Sequence, residues 1–189
     1  MPRPPILPLI DWKAVFASGQ DYAAWIAAGE SPENREKMEA QRAAQALEPQ
    51  VAAHLGALPR PVHVVAIAED WCGDVVRHVP VLQRMAEAAP NLRVRYLSRQ
   101  RWPDLFARFL TNGGEAIPKF IFLSEAFVEC GNWGPMPAGP RELIARGKAV
   151  GDVAAARKKV HARYEADPGK REVVEELLRL VDVAAAQEP

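Results

Sequence analysis

The stretch that decides the fold of this chain is Val62-His63-Val64-Val65-Ala66-Ile67-Ala68-Glu69-Asp70-Trp71-Cys72-Gly73-Asp74-Val75. Its first seven residues form a nearly continuous apolar run rich in β-branched side chains, which is typical of a strand buried on both faces. A helix is expected directly after it, from about Cys72 to Ala89. We therefore predict an α/β fold in which Val62–Ala68 is an interior strand of the sheet.

Three further strands are predicted on the C-terminal side of this stretch. The strands are Leu92–Leu97, which alternates in polarity, and Lys119–Ser124 and Phe127–Gly131, which are close enough to form a hairpin. Between the first and the second of these, Asp104–Leu110 has the pattern of a short helix. The crossover between the first two strands requires parallel pairing, because such connections are right-handed. The order predicts a mixed sheet of four or five strands with helices on both faces.

The two ends of the chain are predicted to be helical. Near the N-terminus, Ser31 is a good N-cap and Pro32 a good first residue for a helix that should run to about His54, with Pro49 as a potential break. From Pro140 onward the helix should be split near residues 167–169. We predict one structural domain, in which an N-terminal helical extension, 1–58, packs on a core formed by 59–189.

Composition restricts the class of protein. Hydrophobic residues make up 49% of the 189 residues and charged residues 25%, and the formal net charge is zero. No global field therefore attracts nucleic acid or an anionic membrane. The first eight residues are too rich in proline for a signal peptide, and no apolar run reaches the length of a bilayer span. With two cysteines only, we expect a cytoplasmic, bacterial-type protein without a disulfide framework.

The segment Trp71-Cys72-Gly73 resembles the W-C-G-P-C motif of thioredoxins. Pro80 lies eight residues after the cysteine, as the helix-kinking proline of that family does, and Pro118 precedes the hairpin where the family has a cis-proline. Trp133-Gly134-Pro135-Met136-Pro137 is similar to a second motif of a little-characterised bacterial thioredoxin-like group. The resemblance covers about residues 60–150. It implies a thioredoxin-like fold with a cis bond before Pro118.

The chain departs from the thioredoxin pattern at three positions. Val75 stands where the second motif cysteine would be, Asp74 replaces the motif proline, and Ala66 falls near the position of the buried acid that assists proton transfer. An intramolecular disulfide between positions 72 and 75 is therefore impossible, and any redox chemistry here rests on one thiol.

Opposing effects act on the Cys72 thiol. The N-terminus of a helix favours the reactive thiolate, while Asp70 and Asp74 raise the thiol pKa if they point inward. Asp74 also suits the first turn of the helix on structural grounds alone. Val75 shields the sulfur from water, which again raises the pKa. The sequence leaves the outcome open.

Three cations are candidates for an anion-binding site beside the thiol. Arg99 and Arg101 follow the second strand, whose carboxyl end should open on the same sheet edge as Cys72, and Lys119 follows the cis-proline. Together they could bind a carboxylate-bearing partner. The alternative is an ordinary solvated charged loop.

The other candidate residues have structural interpretations. The four histidines, His54, His63, His78 and His161, are scattered without the spacing of a zinc site, so no metal is expected. Cys130 is interpreted as a core residue of the hairpin, too far from Cys72 for a disulfide. Trp71 could be a platform for partners or be packed against the domain.

The leading functional hypothesis is a monothiol redox protein. Cys72, supported by Trp71, Gly73, Asp74, Val75 and Pro118, would form mixed disulfides with proteins or small thiols, with glutathione or a similar thiol as co-substrate and no other cofactor. The alternative is a module that binds peptides at the groove between Trp71 and Pro118 without turnover. A third hypothesis is a structural role in which the N-terminal helices form a homodimer interface.

Overall fold

A computed structural model describes residues 7–111 and 113–186. Within these residues four strands form one sheet in the order β2-β1-β3-β4. The strands are β1 Val62–Ile67, β2 Leu92–Leu97, β3 Lys119–Leu123 and β4 Glu129–Trp133. The α-helices are α1 Trp12–Ala17, α2 Tyr22–Ala27, α3 Pro32–Ala44, α4 Pro49–Gly56, α5 Gly73–Glu87, α6 Pro103–Phe106, α7 Ala138–Ala149, α8 Val153–Ala166 and α9 Arg171–Ala185.

Strand β1 lies in the interior of the sheet, as its unbroken apolar run predicts. It pairs parallel with β2 and antiparallel with β3, and all six of its residues are buried. On one face His63 meets the ring of Phe16 in α1, 4.9 Å away between centroids. On the opposite face the Tyr96 hydroxyl donates to Gln83 in α5 at 3.2 Å. The sheet is therefore mixed and covered on both faces, which confirms the predicted fold class.

The strand β1 leads into α5 through the motif loop. Cys72 is the N-cap residue of α5 and has extended backbone geometry, and Asp74 lies in the first turn. The helix holds a continuous buried face that includes Val75 and Leu82. Pro80 lies inside the helix, at the position predicted from the resemblance. The thiol is thereby fixed at the junction of a strand and a helix.

The N-terminal helices pack directly on the sheet and its first helix. Helix α3 contacts α5, α1 contacts β1, and α2 contacts β2. Between α1 and α2, Gln20 forms an isolated antiparallel bridge with Tyr96 on the outer edge of β2. These contacts join the N-terminal helices to the sheet and to α5.

The region predicted as one long helix from Ser31 to about His54 is divided into two helices. The helix that begins with the Ser31 cap and Pro32 ends at Ala44 instead of continuing to His54, because Gln45 has extended backbone geometry. Its side chain donates to the carbonyl oxygens of Ala46 and Gly169, both at 3.0 Å. Pro49, which was predicted to break the helix, is the first residue of the next helix, α4.

Strand β4 begins two residues later than predicted. Phe127 has φ of 60° and cannot continue an extended strand, and its N–H donates to the carbonyl of Ser124 at 2.9 Å. Residues 124–128 therefore form a tight turn, and pairing with β3 runs from Glu129 to Trp133. The predicted helix 104–110 is likewise shorter, since α6 ends at Phe106 and a 3-10 turn follows.

The C-terminal region is helical with a break at the predicted place. Helix α8 ends at Ala166 and α9 begins at Arg171, while a further break at 150–152 separates α7 from α8. Helix α9 packs on β3, β4 and α5, and α7 and α8 pack on one another. None of the helices in the described ranges combines the length and the apolarity that crossing a membrane requires.

Candidate functional site

Cys72 lies half-buried beside the loop that precedes β3. Its thiol donates to the carbonyl oxygen of Ile117, with Sγ and O 3.5 Å apart. The peptide bond between Ile117 and Pro118 is cis, as predicted. Trp71, the residue before the thiol, is 50% exposed, and Gly73 after it is exposed with open space around its α-carbon. The thiol therefore lies against the proline loop, and the residue before it in the sequence carries an accessible indole.

Burial raises the pKa of the Cys72 thiol above its usual range. The backbone N–H groups of Val75 and Asp74 and the positive charge of Arg99 act in the opposite direction, but burial is the largest effect. Val75 itself is fully buried. The sequence left this competition open; in the structure desolvation outweighs the N-terminus of the helix.

The two motif carboxylates have different environments. Asp70 is buried and is held by α3, because its carboxylate accepts from the N–H of Ser31 at 2.7 Å and its carbonyl accepts from Asn34 at 3.0 Å. Asp74 is half-buried near the sulfur, and its negative charge raises the thiol pKa. Burial also raises the pKa of the Asp74 carboxyl itself. Of the two, Asp74 is the carboxylate that acts on the thiol.

Arg99 is fixed beside the motif by Glu69. One carboxylate oxygen of Glu69 accepts from the backbone N–H of Arg99 and from the hydroxyl of Ser98, both at 2.9 Å. The guanidinium carbon of Arg99 lies 5.3 Å from the centroid of the Trp71 ring. One guanidinium nitrogen lies 3.2 Å from a carboxylate oxygen of Glu115. Arg99 was a predicted site residue, whereas Glu69 and Glu115 were not.

The other two predicted cations have different positions. Lys119 is only 4% exposed, and its ammonium donates to the carbonyl oxygen of Gly134 at 2.9 Å. Burial and the nearby charge of Arg141 lower its pKa to about 8. The structure therefore gives Lys119 an internal structural contact in place of the expected anion-binding role. Arg101 is exposed in the 3-10 turn after β2.

The second motif packs against the proline loop through Gly134. This residue has φ of 120° and lies against the backbone of Pro118. Its carbonyl accepts from Lys119 and from Arg141, the latter at 3.3 Å. The bond between Gly134 and Pro135 is also cis. The segment 133–137 thus supports the proline loop that faces Cys72.

A cluster on α5 and α8, which sequence reasoning missed, adjoins the motif. The guanidinium carbon of Arg77 lies 3.8 Å from the ring centroid of Tyr164, and the Tyr164 hydroxyl lies 3.4 Å from Nε2 of His78. His78 is fully buried, which lowers its pKa well below the usual range, and packs edge-on against Trp133. The sequence signal that could have predicted this cluster is the spacing of Asp74, Arg77 and His78, which places the three side chains within about one turn of α5.

Cys130 is half-buried rather than a core residue. Its thiol donates to the carbonyl of Val128 at 3.3 Å, near the end of β3 remote from Ile117. Both cysteines are free thiols. In the ranges 7–111 and 113–186, no three His, Cys, Asp or Glu side chains are grouped as a metal ion requires.

Comparisons with known proteins identify the family of this chain. A family model described as Thioredoxin matches residues 19–167, and so includes most of the N-terminal helices as well as the motif region. No curated protein matches the chain significantly.

Two crystal structures are similar to it, each covering 92% of this chain and 98% of its own. The first is a protein of unknown function, PA1234, from Pseudomonas aeruginosa, with 19% identity and a TM-score of 0.72. The second is an HIV 4E10 epitope scaffold, with 18% identity and a TM-score of 0.71. The chain therefore belongs to the thioredoxin family and has a thioredoxin-like fold.

Proposed function

We propose that this protein carries out thiol–disulfide exchange through Cys72 alone. The observation that supports this most directly is the position of Cys72, which is the N-cap residue of α5 and whose thiol donates to the Ile117 carbonyl, while buried Val75 occupies the place of a resolving sulfur. A mixed disulfide on Cys72 cannot be resolved from position 75. An external thiol must therefore complete each cycle.

The proposed cycle has two exchange steps. The Cys72 thiolate attacks the small-thiol sulfur of a mixed disulfide, for example one between a protein and glutathione. A bond between Cys72 and the small thiol forms, the original disulfide breaks, and the protein leaves as a thiolate that takes up a proton. A second small thiol, as its thiolate, attacks the sulfur bound to Cys72, forming a small disulfide and restoring the Cys72 thiolate.

The raised pKa of the thiol determines how this activity depends on pH. Since the thiolate is the nucleophile, most Cys72 is unreactive at neutral pH and the exchange rate increases as pH rises towards the thiol pKa. The substrates we propose are disulfides of proteins and small thiols in the cytoplasm, where small thiols are kept reduced. Glutathione, or a thiol like it, would act as co-substrate.

The test is an insulin-type reduction assay with glutathione supplied and dithiothreitol omitted. We expect weak glutathione-dependent activity in the wild type, none in Cys72→Ser, and a gain of glutathione-independent dithiol chemistry in Val75→Cys. Cys130→Ser is the matched control, since it removes the other thiol and should leave activity unchanged. Intact-mass measurement after incubation with glutathione disulfide should show one adduct, located on Cys72.

The proposal is wrong if the wild type and Cys72→Ser have equal activity and Cys72 acquires no adduct. The sulfur would then be chemically inactive, and the alternative hypothesis, a module that binds peptides without turnover, would take the place of the redox function.

A further inference from the structure

Resting on this proposed function, we propose that Arg99 selects disulfides whose substituents carry a carboxylate, and thus that small acidic thiols are the class of co-substrate. The guanidinium of Arg99 is the predicted cation that the structure places beside the motif, over the ring of Trp71. Its charge acts on the Cys72 sulfur. A disulfide positioned for attack by Cys72 therefore has its substituent within the field of Arg99.

The backbone and the side chain of Arg99 each have a contact with the motif region. Glu69 accepts from the backbone N–H of Arg99, which fixes the start of the turn after β2, and the guanidinium lies over the Trp71 ring. A guanidinium carbon 5.3 Å from a ring centroid is within the range of a cation–π contact, which favours the present position of the charge beside the motif. Arg99 is therefore placed to bind an anion next to Cys72.

Glu115 shows which anion this position accepts. Its carboxylate lies 3.2 Å from the Arg99 guanidinium, but its side chain is 59% exposed, whereas Arg99 is 31% exposed. Exposed ion pairs are worth little, so an incoming carboxylate can displace Glu115 at small cost. Guanidinium groups bind carboxylates with two parallel hydrogen bonds, a geometry that an ammonium does not provide. Glu115 thus occupies the place proposed for a substrate carboxylate.

The experiment compares anionic and neutral disulfide reagents in a Cys130→Ser background. One pair is dithiobis(nitrobenzoate) and dithiodipyridine, whose released thiols are followed by absorbance. The second pair is glutathione disulfide and its ethyl ester, which differ in the charge of their carboxyl groups. A change in the thiol pKa affects both members of a pair alike, so the ratio of the two rate constants isolates recognition of charge.

We expect Arg99→Gln to lower the anionic-to-neutral ratio about fivefold, the factor for one unit charge about 4 Å away in water. Arg101→Gln removes the same charge two residues away and should change the ratio less than about twofold. Arg99→Lys should retain part of the ratio, and Glu115→Gln should increase it, because the competing carboxylate is gone.

An unchanged ratio in Arg99→Gln, or an equal loss in Arg101→Gln, would overturn the proposal while leaving the redox function intact. Failure of both reagents to react with Cys72 above the Cys72→Ser background would instead contradict the proposed function. If only the aromatic pair shows the effect, the preference is for aromatic acids rather than for small acidic thiols, and the proposal is wrong as stated.

Discussion

The α-carbon of Gly134 lies so close to Pro118 that a β-carbon at position 134 would be 2.0 Å from the Pro118 carbonyl oxygen. No side-chain rotation can relieve this contact, because a β-carbon is fixed to its own backbone and the other partner is a backbone oxygen. The φ of Gly134, 120°, is also one that other residues rarely adopt. Only glycine at this position lets the second motif support the loop that faces Cys72.

Gly134→Ala should therefore destabilise the protein by about 3 kcal/mol or more, because backbone strain and steric overlap act together. Gly151→Ala is the matched control, since Gly151 has φ of 76° but open space around its α-carbon. It should cost about 1 kcal/mol from backbone strain alone. Urea denaturation of both variants measures the difference, and equal losses would show that the contact with Pro118 is unimportant.

The reactivity of Cys72 should follow its raised pKa. In Cys130→Ser protein, the rate of alkylation by iodoacetamide should increase with pH, with a midpoint above the usual cysteine value of about 8.5. Asp74→Asn should lower that midpoint by removing a neighbouring negative charge, and Arg99→Gln should raise it by removing a positive one. A midpoint below about 7 in the wild type would mean that the N-terminus of α5 outweighs burial.

Lys119 should make the folded state more stable as pH rises from about 8 to 10. Burial lowers its pKa to about 8 in the folded protein, whereas an unfolded lysine titrates near 10.4. Between these values the unfolded chain binds more protons than the folded one, so the free energy of unfolding increases with pH. The increase from one such group is at most about 1.4 kcal/mol per pH unit.

Denaturation curves at several pH values measure this slope. Lys119→Met introduces an apolar side chain of similar length that cannot titrate, so the slope should flatten. Lys148 is exposed, and Lys148→Met should leave the slope unchanged. A slope that is the same in the wild type and in Lys119→Met would show that Lys119 titrates normally in the folded state.

Glu69 should contribute to stability through the turn that contains Arg99. Glu69→Ala leaves the N–H of Arg99 and the hydroxyl of Ser98 without their shared acceptor, and we expect a loss of about 1–3 kcal/mol in thermal denaturation. Glu115→Ala removes only an exposed ion pair and should cost less than about 0.5 kcal/mol. Comparable effects of the two substitutions would contradict the structural role of Glu69.

Much of the fold could be predicted because its signals are local. The apolar run of β1 and the alternation of β2 each lie within a few consecutive residues, and β2 has the predicted bounds, Leu92–Leu97. The cis bond before Pro118 was predicted instead from the resemblance to thioredoxins. The predicted start of β4 was wrong because Phe127 adopts a left-handed backbone conformation, which the sequence around a phenylalanine does not indicate.

The environment of the site depended on contacts that are distant in sequence. Glu69 and Arg99 are 30 residues apart, and Lys119 and Gly134 are 15 apart. A cation near the end of a strand can point to solvent, to the motif or to a carbonyl group, and its neighbours in sequence do not distinguish these outcomes. For the same reason the helix break at Gln45 depends on its contact with Gly169, 124 residues away.

The backbone bridge between Gln20 and Tyr96 covers part of an edge of the sheet. Strand β2 is an edge strand, and such strands can pair with the same strand of another molecule and so begin aggregation. Here Gln20 exchanges both backbone hydrogen bonds with Tyr96, at 3.0 and 2.8 Å, and the α-carbon of Gly19 lies close over the side chain of Arg95. The segment between α1 and α2 therefore blocks intermolecular strand addition, a safeguard that a chain shortened to the thioredoxin-like core at residue 59 would lose.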